Sequence, residues 1–215
     1  MIEQGSPEWF KQRYGNASAS RIKDVIAKTK SGYSASRDNY MTELVLERFG
    51  IFNEQFSTKA MDWGNEQEPF ARAKHEITQD ILVEQCGYIL HPTILKSGAS
   101  PDGLIDDDGV LEIKCPDTKT HFEYLLNDKV PTAYIPQMAW QIICTNRKWA
   151  DFVSYDPRAP EGLDYFTIRY FPEKEYIEML EKEVTNFLIE VDEKFNQLNE
   201  KLLKIKDYKD GLKNG

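Results

Sequence analysis

The chain has 215 residues, a formal net charge of −9, 40% hydrophobic residues and 12% aromatic residues. That length and apolar content suit one packed domain and exclude a disordered chain. No apolar run approaches the roughly 18 residues of a membrane span, and Met1-Ile2-Glu3-Gln4-Gly5 lacks the basic and apolar blocks of a signal peptide, so the expectation is a cytosolic protein.

The acidic balance lowers the expectation of nucleic-acid binding without excluding it. Residues 1–30 carry Lys11, Arg13, Arg21, Lys23, Lys28 and Lys30 against Glu3, Glu8 and Asp24. A locally basic face on an acidic body can hold phosphate while the rest repels loosely bound DNA. Cys86, Cys115 and Cys144 are odd in number and far apart, and read as small buried hydrophobes, not disulfides or metal ligands.

Ser6-Pro7-Glu8-Trp9 opens a helix, with serine as cap and proline in the first turn, which carries Arg13 and stops near Gly15. A second helix is expected from Ser18 or Ser20 to Ala27. Its start gathers Ser18, Ser20 and free backbone N–H groups, with Arg13 just upstream, which suits a phosphate. Ordinary capping explains the serines equally well. Lys28 to Arg37, containing Lys30, reads as a polar loop before a helix over 38–49. A helical region over 57–77 is interrupted by Gly64 and Pro69. Within it Glu68 precedes Phe70, Ala71 and Ala73, which look core-facing. Glu68 is then either a solvated helix residue, the commoner case, or an inward-facing ligand.

Ile81 to Leu90 reads as a strand, and the chain then reaches its most informative stretch, Ser100 to Pro116. Two short apolar runs flank Asp106-Asp107-Asp108-Gly109, and Asp-Gly is a strong hairpin signal. Leu111, Ile113 and Cys115 alternate with Glu112 and Lys114, so Glu112 and Lys114 share one strand face. The hairpin brings Asp102 beside Glu112. Two carboxylates suit Mg²⁺, which keeps several waters and takes substrate phosphate oxygens. Such a metal polarises a phosphodiester and lowers the pKa of bound water. Lys114 is placed to orient that water and offset charge in the transition state. A surface hairpin with a cross-strand salt bridge is the plain alternative; the proline before Asp102, the hairpin and the alternation together favour a nuclease site.

Thr118 to Leu126 reads as a short helix and Ala133 to Thr145 as a stronger one, with Gln137 and Gln141 one turn apart. A glutamine facing the carboxylates would support them through hydrogen bonds, although exposed glutamine is more frequent. Strands are expected over 149–155 and 165–171. Apolar steps of three and four residues from Ile177 to Leu202 give a long helix over 172–206, followed by a polar, fraying tail over 207–215. The element order indicates an α/β or α+β domain over 1–206, with a mixed central sheet flanked by helices.

With these pieces in place the chain resembles the lambda-exonuclease family of phage recombinases, of the restriction-endonuclease-like PD-(D/E)xK fold. The resemblance spans nearly the whole chain. It rests on Trp9-Phe10-Lys11-Gln12-Arg13-Tyr14-Gly15, Ser18-Ala19-Ser20, Val25-Ile26-Ala27-Lys28, Trp63-Gly64 with Glu68, Ser100-Pro101-Asp102-Gly103-Leu104, Leu111-Glu112-Ile113-Lys114-Cys115-Pro116, Tyr134 with Gln137, Tyr155-Asp156-Pro157-Arg158 and Glu161-Gly162-Leu163, in that order. The resemblance implies a single exonuclease domain that digests one strand of linear duplex DNA processively, 5′ to 3′, from a 5′-phosphorylated end. It implies Mg²⁺, with Mn²⁺ as a substitute and two ions per site. Asp102 and Glu112 would bind metal, Glu68 would be a further active-site carboxylate, either a metal ligand or a support behind the ligands, Lys114 the catalytic lysine, and Gln137 part of the site. Arg13, Ser20 and Ser100 would hold the terminal 5′-phosphate, with Lys30 where the family has an arginine; a lysine keeps the charge and loses the bidentate fork. It also implies a ring-shaped homotrimer, a single-strand annealing protein as partner, and a phage or prophage origin in a bacterial host. Two competing readings are a restriction-type endonuclease on the same fold and a non-catalytic DNA-end or recombination scaffold; the intact trio of Asp102, Glu112 and Lys114 argues against the second.

Overall fold

The structure is a computed structural model that describes residues 2–52 and 58–213; Ser57, where the fourth helical region was expected to begin, lies outside them. Ser6 accepts a hydrogen bond from the Trp9 N–H at 3.2 Å, and Pro7 opens α1 (Pro7–Arg13). The chain continues through β1 (Ala17–Ser18), a 3₁₀ turn (Ala19–Arg21) and α2 (Ile22–Val25), which is only 4 residues long. The longer helix expected from Ser18 does not form, because Ser18 is drawn into a parallel ladder with Gly98. The expected loop over 28–37 holds a small hairpin, β2 (Lys28–Thr29) and β3 (Gly32–Tyr33), before α3 (Ala35–Arg48).

α4 (Lys59–Gln79) runs unbroken through Gly64 and Pro69. A mid-helix proline forfeits one backbone hydrogen bond. Here the buried side of the helix, Ala71 and His75, packs on the sheet, and tertiary packing outweighs that local loss. The strand expected over 81–90 divides into β4 (Val83–Glu84) and β5 (Ile89–Leu90), which join different sheets. Then follow β6 (Ser97–Ala99), β7 (Gly103–Ile105), β8 (Gly109–Lys114), α5 (Thr118–Asn127), α6 (Ile135–Thr145), β9 (Trp149–Tyr155), β10 (Tyr165–Tyr170) and α7 (Lys174–Lys213).

The central five-stranded sheet has the order β10-β9-β8-β7-β4, parallel between β8 and β9 and antiparallel elsewhere, so it is mixed as expected. Val110, Ala150 and Phe152 pack against Met138 and Ile142 of α6 on one face. Leu111, Ile113 and Val153 pack against Ala71 of α4 on the other. Because strand side chains alternate, Glu112 and Lys114 share the α6 face with Val110. A smaller sheet, β1-β6-β5, and helices α2, α3, α6 and α7 enclose a further core around Trp140, Leu180, Val184 and Phe187.

The β7–β8 hairpin pairs Gly103 with Leu111 and Ile105 with Gly109, so its turn is Asp106–Asp108, with Asp106 left-handed at φ 46°. Arg147 Nη1 binds this turn by donating to the carbonyls of Ile105, Asp106 and Gly109 at 3.0, 2.6 and 2.8 Å. Gly109 is thus not the centre of a two-residue turn. It opens β8 directly beneath Trp149, where a Cβ would lie 2.1 Å from the indole.

α7 docks through Leu180, Val184, Phe187, Leu188 and Val191, and through a paired contact of the buried Arg37 with Glu190 at 2.7 and 2.8 Å. Past Phe195 its apolar residues Leu198, Leu202, Leu203 and Ile205 are exposed, and the segment expected to fray from Asp207 is helical to Lys213. No helix among the described residues is long and apolar enough to cross a membrane.

Candidate active site

The hairpin register sets Asp102 against β8. Its N–H donates to Leu111 O at 3.0 Å, and its Oδ2 accepts the Ile113 N–H at 2.6 Å. Glu112 is fully buried beneath α6. Its Oε1 accepts from Gln137 Nε2 at 2.6 Å and its Oε2 from Gln141 Nε2 at 2.5 Å, and the Lys114 ammonium pairs with Oε1. Both glutamines therefore face the carboxylate, one turn apart on α6. From α4, Glu68 pairs with Arg72 one turn on, and Arg72 Nε donates to the Asp102 carbonyl at 3.2 Å. Glu68 is the inward-facing residue. Of its three neighbours expected in the core only Ala71 is buried, while Phe70 and Ala73 lie on the solvent side of α4.

Glu68, Asp102 and Glu112 thus crowd around one lysine. Burial, then the charge of Glu112, raises the Asp102 carboxyl well above the usual carboxylate range. Burial likewise raises Glu68, against the pull of Arg72 and Lys114. Burial alone would depress the Lys114 ammonium, but Glu112 and Asp102 outweigh it and hold its pKa above the ordinary lysine value. The Lys114 ammonium is thus paired with Glu112 as a charged hydrogen-bond donor. Among the described residues no group of three or more His, Cys, Asp or Glu side chains is placed so that it could hold a metal ion, so a metal here would rest on one or two carboxylates and its own waters. An open, carboxylate-rich site with excess negative charge fits Mg²⁺, which uses one or two carboxylates and keeps waters.

A cavity of about 160 Å³ lies beside these carboxylates, between Trp9, Arg13, Ser18, Ser20 and Ser100, and reaches Asp102 and Gln137. The Arg13 guanidinium sits 4.0 Å over the Trp9 ring, and Trp9 Nε1 donates to Ser100 Oγ at 2.9 Å. Gln4 ties the N-terminal segment to the same place through Pro101 O at 2.8 Å. Among the described residues, Arg13 makes one long hydrogen bond, 3.5 Å to Ser18 Oγ, and no ion pair. Burial lowers its pKa, yet a guanidinium stays protonated. A half-buried cation with no direct ion pair among the described residues, and only the more distant charge of Glu47 acting on it, faces a hydroxyl-lined cavity. With α2 so short, an anion in this cavity would meet the guanidinium and the hydroxyls, not a helix dipole. Two other basic residues of the N-terminal region are engaged elsewhere: Arg21 with Asp24 and Glu43, Lys28 with Glu183. Lys30 sits at the exposed tip of the β2–β3 hairpin and does not line the cavity.

Sequence reasoning missed Arg72, Trp9 and Gln4. Arg72 had a signal, the four-residue helical spacing from Glu68; Gln4 had none.

Residues 8–148 match the YqaJ-like viral recombinase domain. The chain belongs to the YqaJ-like viral recombinase family. As a YqaJ-like recombinase it is similar to LHK-Exo, an alkaline exonuclease from Laribacter hongkongensis, at 44% identity and a TM-score of 0.87 over 93% of this chain and 100% of that one. A second structure of LHK-Exo, in complex with dAMP, matches equally well. A phage related exonuclease from Haemophilus somnus 129PT shares the fold at 14% identity and a TM-score of 0.70, over 87% of this chain and 96% of that one. No curated protein matches the chain. The mixed α+β architecture with its long C-terminal helix is therefore that of the family.

Proposed function

We propose that this protein is a Mg²⁺-dependent exonuclease that digests one strand of linear duplex DNA, 5′ to 3′, from a 5′-phosphorylated end, leaving 3′ single strands for recombination by annealing. The observation that carries this reading is the single cavity on which Arg13, Ser20 and Ser100 meet Asp102 and Gln137. An end-recognition pocket that opens onto the carboxylates is what an exonuclease requires and an endonuclease does not.

Asp102 and Glu112, with Glu68 nearby, would hold one or two Mg²⁺ ions, or Mn²⁺ in their place. When bound, the metal supplies polarisation of the phosphodiester and a bound water of lowered pKa. The chain's own groups do the rest. Gln137 and Gln141 fix Glu112 in one rotamer. The ammonium of Lys114 orients the attacking water and offsets charge on the pentavalent phosphorus oxygens. Arg13 grips the terminal phosphate, which carries about two negative charges near neutral pH, and the serines donate hydroxyl hydrogen bonds to it. Each cut presents a new 5′-phosphate to the same pocket, which favours forward movement and processive digestion. The same reading extends to a ring-shaped homotrimer that turns its basic face inward, to a single-strand annealing partner, and to a phage-derived enzyme in a bacterial cytoplasm.

The test is digestion of linear duplex labelled at either strand end, with 5′-phosphate or 5′-hydroxyl, with and without Mg²⁺, beside a covalently closed circle. Mg²⁺-dependent loss of 5′ label from the phosphorylated linear substrate alone is expected. Cutting of the circle would replace this reading with an endonuclease.

A further inference from the structure

The chain between β9 and β10, residues 156–164, is held rigidly at the end of the sheet where Lys114 emerges. Asp156 N–H donates to Asp164 O at 3.0 Å, and Lys74 Nζ binds the Asp164 carboxylate at 3.0 Å. His121 of α5 completes the anchorage, with Nε2 2.7 Å from Leu163 O and Nδ1 2.7 Å from Ser154 Oγ. A carbonyl only accepts, so Nε2 carries a proton, and both ring nitrogens of His121 are engaged.

Arg158 projects from this segment. Its Nε donates to Asp156 Oδ1 at 2.6 Å and its Nη2 to Pro116 O at 2.9 Å, and the guanidinium lies 4.3 Å over the Trp63 ring. Pro116 follows Lys114 by two residues, and Trp63 precedes Glu68 by five. The guanidinium so bridges the two segments that carry catalytic groups. Its side chain remains 46% exposed although Asp156 is fully buried, and Nη1 has no hydrogen bond among the described residues. A stacked, prealigned fork with an open edge suits a phosphate diester. Arg158 does not line the Arg13 cavity.

We propose that Arg158 is a second phosphate contact, gripping the DNA backbone where it passes the end of β8, separately from the 5′-terminal pocket. This rests on the DNA reading above. A simple rivet between β8 and α4 is the competing role, and charge separates the two: a phosphate contact needs the cation, whereas the rivet needs the fork.

The experiment measures binding of the intact protein to 5′-hydroxyl duplex in EDTA across a salt series, for wild type, Arg158→Gln and Arg158→Lys, with melting temperatures recorded for each. Arg158→Gln is expected to weaken binding about tenfold at low salt and to reduce the slope of log K against log salt by about 0.9, the value of one phosphate. Arg158→Lys is expected to restore the slope, and both variants to keep the wild-type preference for a 5′-phosphate in cleavage. A wild-type slope in folded Arg158→Gln overturns the inference, as does a slope lost equally in Arg158→Lys. Should Arg158→Gln fail to fold, Arg158→Met, which also removes the charge and keeps an apolar stem over Trp63, takes its place: a slope reduced by about 0.9 supports the contact and the wild-type slope overturns it. A wild type that binds no duplex overturns the DNA reading itself, whereas a wild type that binds with an unaffected Arg158→Gln overturns only this inference.

Discussion

On the proposed function, Arg13→Ala separates end recognition from catalysis, and the contacts of the guanidinium give the size of both effects. In the free protein the guanidinium contributes a cation–π contact with Trp9 at 4.0 Å, worth about 0.5–1 kcal/mol at such a site. Its 3.5 Å contact with Ser18 is too long to add much. Truncation should therefore lower stability by about 1 kcal/mol or less. Against a bound 5′-phosphate the same truncation removes a charge-assisted fork worth roughly 1.5–3 kcal/mol, a preference of about tenfold to 150-fold. The assay is single-turnover digestion of paired 5′-phosphoryl and 5′-hydroxyl duplexes by wild type and variant, with metal affinity and melting temperature measured alongside. Loss of most of the phosphate preference is expected, with shorter processive runs and unchanged Mg²⁺ affinity. Full retention of the preference would refute the pocket, and with it the argument that each new 5′-phosphate favours the next step.

Four further outcomes follow from the site. Burial and Glu112 raise the folded-state pKa of Asp102 above its unfolded value, so the ionised carboxylate destabilises the metal-free fold, and stability falls as pH rises through that folded value. Asp102→Asn should thus melt above wild type in EDTA at neutral pH, with a flatter pH profile, while losing cleavage; an identical melting profile would show that the carboxylate is not strained. Lys114→Ala should lower the single-turnover rate about 10²- to 10³-fold with little change in Mg²⁺ affinity by titration calorimetry, and the reverse pattern would make Lys114 a support for the metal ligands. Gln141→Leu strips Glu112 Oε2 of its 2.5 Å donor, and should cost about 1–3 kcal/mol in denaturant unfolding together with a roughly tenfold lower rate; an unchanged rate at saturating Mg²⁺ would remove Gln141 from the site. Gly109→Ala drives a methyl to 2.1 Å from Trp149 and should destabilise by about 1–3 kcal/mol in the same unfolding measurement, an effect absent if Trp149 moves freely.

The parts of the site that a local pattern encodes were legible. Alternation along β8 is enough to put Glu112 and Lys114 on one face, and a hairpin is enough to bring Asp102 to them. Helical periodicity likewise placed Gln137 and Gln141 together, but periodicity cannot say toward what, and only the packing of α6 on β8 resolves that both face Glu112. Where the reading departed from the structure, a long-range partner overrode local propensity. Ser18 looked like a cap and is a ladder residue of β1, because β6 lies beside it. Gly64 and Pro69 looked like breaks and are not, because the sheet holds α4. Phe70 looked internal from its neighbours Ala71 and Ala73, but a helix buries one side, and that side belongs to Ala71 and His75. The cavity wall made by Trp9 depends on contacts between residues 91 positions apart in sequence, which no local rule reaches.

Ser100 and Asp102 are separated by a single proline. One of them accepts the indole proton of Trp9 and lines the Arg13 cavity, and the other presents the carboxylate to β8. Pro101 has a restricted backbone, and its carbonyl is held by Gln4 at 2.8 Å. On the proposed function, the place that would read the end and the place that would cut are borne on one stiff tripeptide, and their spacing cannot drift independently. Such a segment is a ruler with one graduation. On the proposed function it dictates products of uniform length, and its calibration would be disturbed by lengthening the chain between residues 100 and 102 without altering either side chain.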